Sequence, residues 1–155
     1  MSTGKFHGDT AATTPIGSCT IMIRFVPFAS CVEGGTLPAG AKLAFSVSSE
    51  KEASVVILAL HPRQVTLVSP STPATGAIER VRPGGATMLD DHPTLANIPG
   101  LVRFLAVFCK SALPPETVVK AGERALAVGR GDPDAVRTLD LGCGEAFAGA
   151  RVTAP

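Results

Sequence analysis

Asp90, Asp91 and His92 stand side by side in "TMLDDHPTLANIPGLVRFLAVFC" (87–109), and Cys109 closes the apolar run behind them. Two acids and an imidazole are metal-ligand types, and His61 is the one distant imidazole able to join them. Such a set would make a small metal-dependent hydrolase centre. Spacing argues against it. Adjacent residues on extended chain point opposite ways, so Asp90 and Asp91 do not chelate one ion together without a special turn. Pro93 pushes His92 toward extended geometry, and Asp commonly initiates turns. The expectation is a polar turn feeding a buried strand, with no metal ligand assigned.

A nucleophilic triad built on Cys109 is the sharper enzyme idea. Catalytic thiols need partial exposure and a positive microenvironment, whereas Cys109 ends a strand after "FLAVF" with only Lys110 beside it. "VRPGGAT" (81–87) lacks the spacing of a phosphate loop and reads as a turn. "GRGD" (129–132) contains the adhesion tripeptide Arg130-Gly131-Asp132, but it falls where a helix must stop. No catalytic residue and no cofactor is assigned.

Cys19, Cys31, Cys109 and Cys143 form no CxxC pair, which leaves buried free thiols or disulfides. If the domain matures in an oxidising compartment, Cys109 and Cys143 are the preferred pair, since each lies where a strand gives way to a loop. Otherwise both stay reduced.

The totals narrow the classes further. A chain of 155 residues fits one domain and can bury roughly two thirds of its unfolded surface. Apolar residues reach 45% and charged ones 17%, a composition that builds a core. Tyr and Trp are absent, which removes the usual stacking platforms for bases. The net charge is +1, and the basic residues are scattered singly, so no nucleic-acid partner and no polybasic membrane patch is expected. "ASVVILAL" and "FLAVFC" fall far short of the ~20 residues of a spanning helix, and the N-terminus lacks the apolar centre of a secretory signal.

Read for organisation, residues 1–18 are a Gly/Ser/Thr-rich tail or tether, 19–145 one β-rich domain, and 146–155 a C-terminal tail. "CTIMIRFV" (19–26) is β-rich, and 27–40 is a turn-laden connection with a short strand near Cys31. "AKLAFSVSSE" alternates, with Leu43, Phe45 and Val47 on one face. "ASVVILAL" (53–60) is a central strand, joined through His61-Pro62-Arg63 to "QVTLVSP" (64–70) as an antiparallel hairpin. "AIERVRPGG" (77–85) adds a short strand and "LVRFLAVFC" (101–109) a buried one. "LPPETVVKAGERALAVG" (113–129) changes period to that of a helix, with Val118, Gly122, Ala125 and Leu126 on one face and Gly129 as its stop. "AVRTLDLGC" (135–143) is expected as a last strand. Phe45, Ile57, Leu67, Phe104 and Phe108 should share one core. The fold expected is mainly β: an antiparallel β-sandwich or strongly twisted sheet of six or seven strands with one C-terminal helix.

Taken in order, "GKFHGD", "LPAGAKLAFSVSS", "ASVVILALHPRQVTLVSPS" and "LDDHPTLANIPGLVRFLAVFC" resemble a poorly characterised bacterial domain of myxobacterial type. That domain is found on the extracytoplasmic side of anti-sigma-factor-like membrane proteins, and related modules accompany caspase-like or kinase domains. The matching residues are Gly40 to Phe45, Val65 to Pro70, Leu89-Asp90, and Arg103 to Cys109, within residues 5–110. The chain departs from the pattern at Ala41, where an acid is usual, at Val68-Ser69 in place of an aromatic pair, and at Val102 in place of an acid. The resemblance implies a β-sandwich-like accessory module and carries no catalytic residues over.

The function expected is a non-enzymatic sensing or partner-binding module of a bacterial regulatory or envelope protein, with a protein partner and no membrane insertion of its own. It would be periplasmic or envelope-exposed within a membrane-anchored parent, or else cytoplasmic. The alternatives are a scaffold or assembly subunit, and the metal-dependent hydrolase using Asp90, Asp91 and His92.

Overall fold

The structure is a computed structural model that describes residues 19–26, 30–31, 36–70 and 78–153. The expected tail over 1–18 lies outside the described residues, as does most of the loop read at 69–76.

The clean alternation of "KLAFSVSS" produces β4 (Lys42–Ser49), which pairs antiparallel with β1 (Cys19–Val26) over its whole length. Two short strands extend this sheet, β2 (Ser30–Cys31) beyond β1 and β8 (Thr87–Met88) beyond β4. The second sheet runs β3 (Thr36–Pro38), β10 (Gly144–Thr153), β9 (Gly100–Cys109), β5 (Ala53–His61) and β6 (Gln64–Ser69), and β7 (Glu79–Val81) pairs with the start of β5.

Period two explains how this larger sheet is filled. On one face Val55, Ile57 and Ala59 of β5 join Phe104, Ala106 and Phe108 of β9, and pack with Leu43, Phe45 and Val47 of β4. On the other, Val56, Leu58, Leu60, Leu105 and Val107 meet the helix α1 (Pro115–Val128). All nine residues of β5 are buried because both faces are covered, which is why "VVILAL" (55–60) is continuously apolar. Phe45 and Phe104 meet edge to face with ring centroids 5.6 Å apart.

The helix forms where the period shifts. Pro114 and Pro115 open it, and Glu116 lies in its first turn, where the peptide dipoles favour an acid. Val118, Ala121, Gly122 and Leu126 are buried. Gly122 lets the backbone approach the sheet, since a Cβ there would stand 2.9 Å from Leu58 Cδ1.

The mainly β architecture is as expected, with one α-helix among the described residues, and three features correct the finer picture. Pairing is mixed, because β10 and β3 run parallel, from Arg151↔Thr36 to Thr153↔Pro38. The described residues hold ten strands, six long and four of two or three residues, against the six or seven expected. Residues 146–153, read as a tail, lie in β10, an inner strand between β9 and β3. Its Ala and Gly residues have weak strand propensity. Their small size is what the position needs, as Ala148 faces Phe104 and Gly144 faces Phe108 across the ladder.

The strand expected at 135–143 does not form. A 3₁₀ turn (Pro133–Ala135) begins an irregular segment instead, with its backbone groups satisfied by side chains from the sheet. Leu67 belongs to the helix side, partly buried, rather than to the core holding Phe45, Ile57, Phe104 and Phe108.

Candidate functional site

The acidic stretch follows β8 as a bend tied to β7 and β6 by side chains. The Glu79 carboxylate of β7 accepts the backbone N–H of Asp90 through Oε1 (2.8 Å) and that of Asp91 through Oε2 (3.0 Å). Ser69 Oγ donates to Asp91 Oδ2 at 3.3 Å. One carboxylate thus fixes two successive amides just after β8, while Asp90 and His92 are exposed. His61 is buried at the end of β5, its Nε2 3.4 Å from Thr66 Oγ1 and its Nδ1 without a hydrogen-bond partner. Burial pushes its pKa below the ordinary histidine value, so the ring is held neutral. Among the described residues no three His, Cys, Asp or Glu side chains gather where they could hold a metal ion.

Cys109 is bonded to Cys143 across 34 residues, with the Cα atoms 4.7 Å apart. As a disulfide sulfur it offers no thiolate for attack. The bond is one of three devices fastening the 110–143 segment to the sheet. The second is Glu145, buried on β10, which accepts from Leu139 N–H (2.9 Å) and Thr138 Oγ1 (3.1 Å) through one carboxylate oxygen. Burial raises its pKa, opposed by those two hydrogen bonds and reinforced by nearby Asp140. The third is Arg103 of β9, whose Nη1 donates to Pro133 O (3.1 Å) and Val136 O (2.7 Å) while the guanidinium stacks 3.9 Å above the Phe147 ring.

A helix fastened this way keeps two open flanks. On one, a cleft of about 570 Å³ runs between α1 and residues 135–140. Ala121, Ala125, Val136 and Leu139 line it, together with Arg124 and Arg137. Val128, also in the lining, is 86% exposed, the largest exposure of a big apolar side chain among the described residues. On the other flank, a cleft of about 450 Å³ lies between α1 and the β5–β6 turn, and its lining includes Arg63, Arg130, Glu123, Val65 and Leu126.

The second cleft is shaped by two unusual turns. Pro62 and Arg63 connect the pair His61↔Gln64, and Arg63 takes φ 63°, where a two-residue turn opened by proline ordinarily uses Gly or Asn. The helix ends in a Schellman motif: Gly131 N–H reaches Leu126 O (2.8 Å) and Arg130 N–H reaches Ala127 O (3.0 Å). Its left-handed turn begins at Arg130, at φ 59°, and continues through Gly131 at φ 82°, while Gly129 keeps φ −81°. Gly129 caps the helix, as expected, and Arg130 takes the left-handed position after it. A left-handed non-glycine residue costs about 1–2 kcal/mol. The two turns are tied together by Arg63 N–H donating to Gly131 O at 3.0 Å. The stem of Arg63 lies across Gly131, where a Cβ would stand 2.6 Å from Arg63 Cγ.

Sequence reasoning missed these four arginines because they are scattered singly along the chain. The signals available were local: an arginine after the proline of a tight turn, and one between two glycines at a helix stop.

No helix among the described residues is long and apolar enough to cross a membrane. Comparison with family models, curated proteins and solved structures finds no match.

Proposed function

We propose that this chain is a non-enzymatic partner-binding module of a bacterial regulatory or envelope protein. In this reading it receives an extended, acidic segment of a partner protein along the Val128 flank of α1. The observation that carries the reading is the cleft of about 570 Å³ with Ala121, Ala125, Val136 and Leu139 on its walls, Arg124 and Arg137 beside them, and Val128 exposed by 86%. Two guanidinium groups against one acid, Asp140, give that lining a net positive charge and suit an acidic segment with apolar side chains at alternate positions. The fastening of the 110–143 segment by disulfide, Glu145 and Arg103 holds the cleft's two walls without needing the partner, which limits the ordering cost of binding.

The cellular placement rests on two supports. The blocks from Gly40 to Cys109 resemble extracytoplasmic modules of anti-sigma-factor-like proteins, and the Cys109–Cys143 bond suits an oxidising compartment.

The test is titration with a fluorescent peptide of alternating Leu and Glu, against one of alternating Leu and Lys. Preferential binding of the acidic peptide, lost by about tenfold in Arg124→Glu/Arg137→Glu and in Val128→Asp, is expected. Equal binding of both peptides, or binding of neither, would sink the reading. A mass measurement showing a discrete oligomer that Val128→Asp dissolves would transfer the flank to a second copy and favour the scaffold alternative.

A further inference from the structure

We infer that the opposite flank of α1 carries a separate small-molecule site, which binds a monocarboxylate with an apolar body between Arg63 and Arg130. Among the described residues, two of the three non-glycine residues with positive φ are arginines, Arg63 at 63° and Arg130 at 59°, and both line the same cleft of about 450 Å³. They come from turns 67 residues apart in sequence, joined by the bond from Arg63 N–H to Gly131 O. Glycine or asparagine would occupy either turn at lower cost, so the folded state gains nothing from arginine's backbone there. Strain of this kind concentrates where a side chain has work to do.

The side chains show what that work is. Neither guanidinium makes an ion pair or side-chain hydrogen bond among the described residues, and Glu123 in the same lining makes none either. Gly131, having no Cβ, allows the Arg63 stem to lie over the backbone, which fixes where that guanidinium begins. Val65, Leu126 and Ala127 supply apolar wall in the same cleft. The volume falls within the range of small-molecule sites. Arginine forks match the planar geometry of a carboxylate. The Glu123 carboxylate opposes a second negative charge, so a monoanion is favoured over a phosphate dianion. The chemistry is thus an acid head on an apolar tail, from either a free short-chain acid or the carboxyl end of a peptide. This site stands independently of the partner groove, since it uses residues 123, 126, 127 and 130 of the helix end rather than 121, 124, 125 and 128.

The test uses the whole chain and three probes: octanoate, N-acetyl-Ala-Leu as the free acid, and the same dipeptide as its amide. Calorimetry should show saturable binding of octanoate, with the dipeptide acid deciding whether peptide ends are also accepted, and at least about tenfold weaker binding of the amide. The double variant Arg63→Gly/Arg130→Gly should melt no lower than the parent, because glycine relieves both left-handed positions, yet lose at least about tenfold in octanoate affinity. Arg63→Asn/Arg130→Asn, which also tolerates this backbone, should behave alike and serves if the glycine variant is impaired. Failure of both acids to bind saturably, undiminished binding in the well-folded variants, an amide binding as tightly as octanoate, or inorganic phosphate binding as tightly as octanoate would each overturn the inference.

Discussion

Cys109 and Cys143 are bonded with their Cα atoms 4.7 Å apart, although 34 residues separate them. The loop they close contains α1 and the segment that walls the partner groove, so one covalent bond sets the frame for both clefts. Cys109→Ala/Cys143→Ala should destabilise the protein by roughly 3–4 kcal/mol, from the entropy of that loop in the unfolded chain. Denaturant unfolding of the double variant checks this, and a loss under about 1 kcal/mol would mean the segment is held without the bond. Thiol counting on unfolded, unreduced protein should find no more than two free thiols.

Phe104 is fully buried between the two sheets and meets Phe45 edge to face. Its cross-strand partners on both sides are alanines, Ala148 and Ala59, too small to fill its place. Phe104→Ala should cost about 3–5 kcal/mol. A cost below about 1 kcal/mol would contradict the packing between the sheets.

Much of that packing was legible in the sequence. The alternation of Leu43, Phe45 and Val47, the unbroken run of β5, and the change of period at Pro114-Pro115 each come from one local pattern, and each forms as read. What misled was composition. Ala and Gly at 144–150 look like a tail, because their role is to make room for Phe104 and Phe108, a relation between strands that no local window contains. The stretch 135–143 read as a last strand, but Arg103 takes the Val136 carbonyl and Glu145 the Leu139 amide, and no ladder forms. The arginines of the clefts were invisible for a different reason, since Arg63 and Arg130 become neighbours only through the tertiary bond at Gly131.

His61 is neutral in the fold because burial lowers its pKa below the ordinary 6.5. A group with a depressed folded pKa contributes stability that is present above the unfolded value and lost as pH falls below it. The parent should therefore lose stability relative to His61→Gln as the pH drops from about 6.5. Parallel unfolding curves for the two proteins between neutral and pH 5 would show that histidine is not buried neutral.

Glu145 has the opposite sign. Its folded pKa is raised above the usual 4.5, so folding favours proton uptake there and stability is lost as pH rises through the raised value. The difference in unfolding free energy between Glu145→Gln and the parent should grow in favour of Gln as pH rises from about 4.5. Glu145→Ala also strands the buried Leu139 N–H and should cost about 1–3 kcal/mol below pH 4.5, where the parent keeps the full contribution of Glu145.

The central claim, that the Val128 flank of α1 receives an acidic partner segment, is tested most directly by following backbone amide shifts while the Leu/Glu peptide is added. Perturbations should concentrate at Ala121, Arg124, Val128 and residues 135–140, and should fade as salt rises through the range that screens exposed charge. Shifts that gather instead on β4 and β8, or no shifts at saturating peptide, would contradict it.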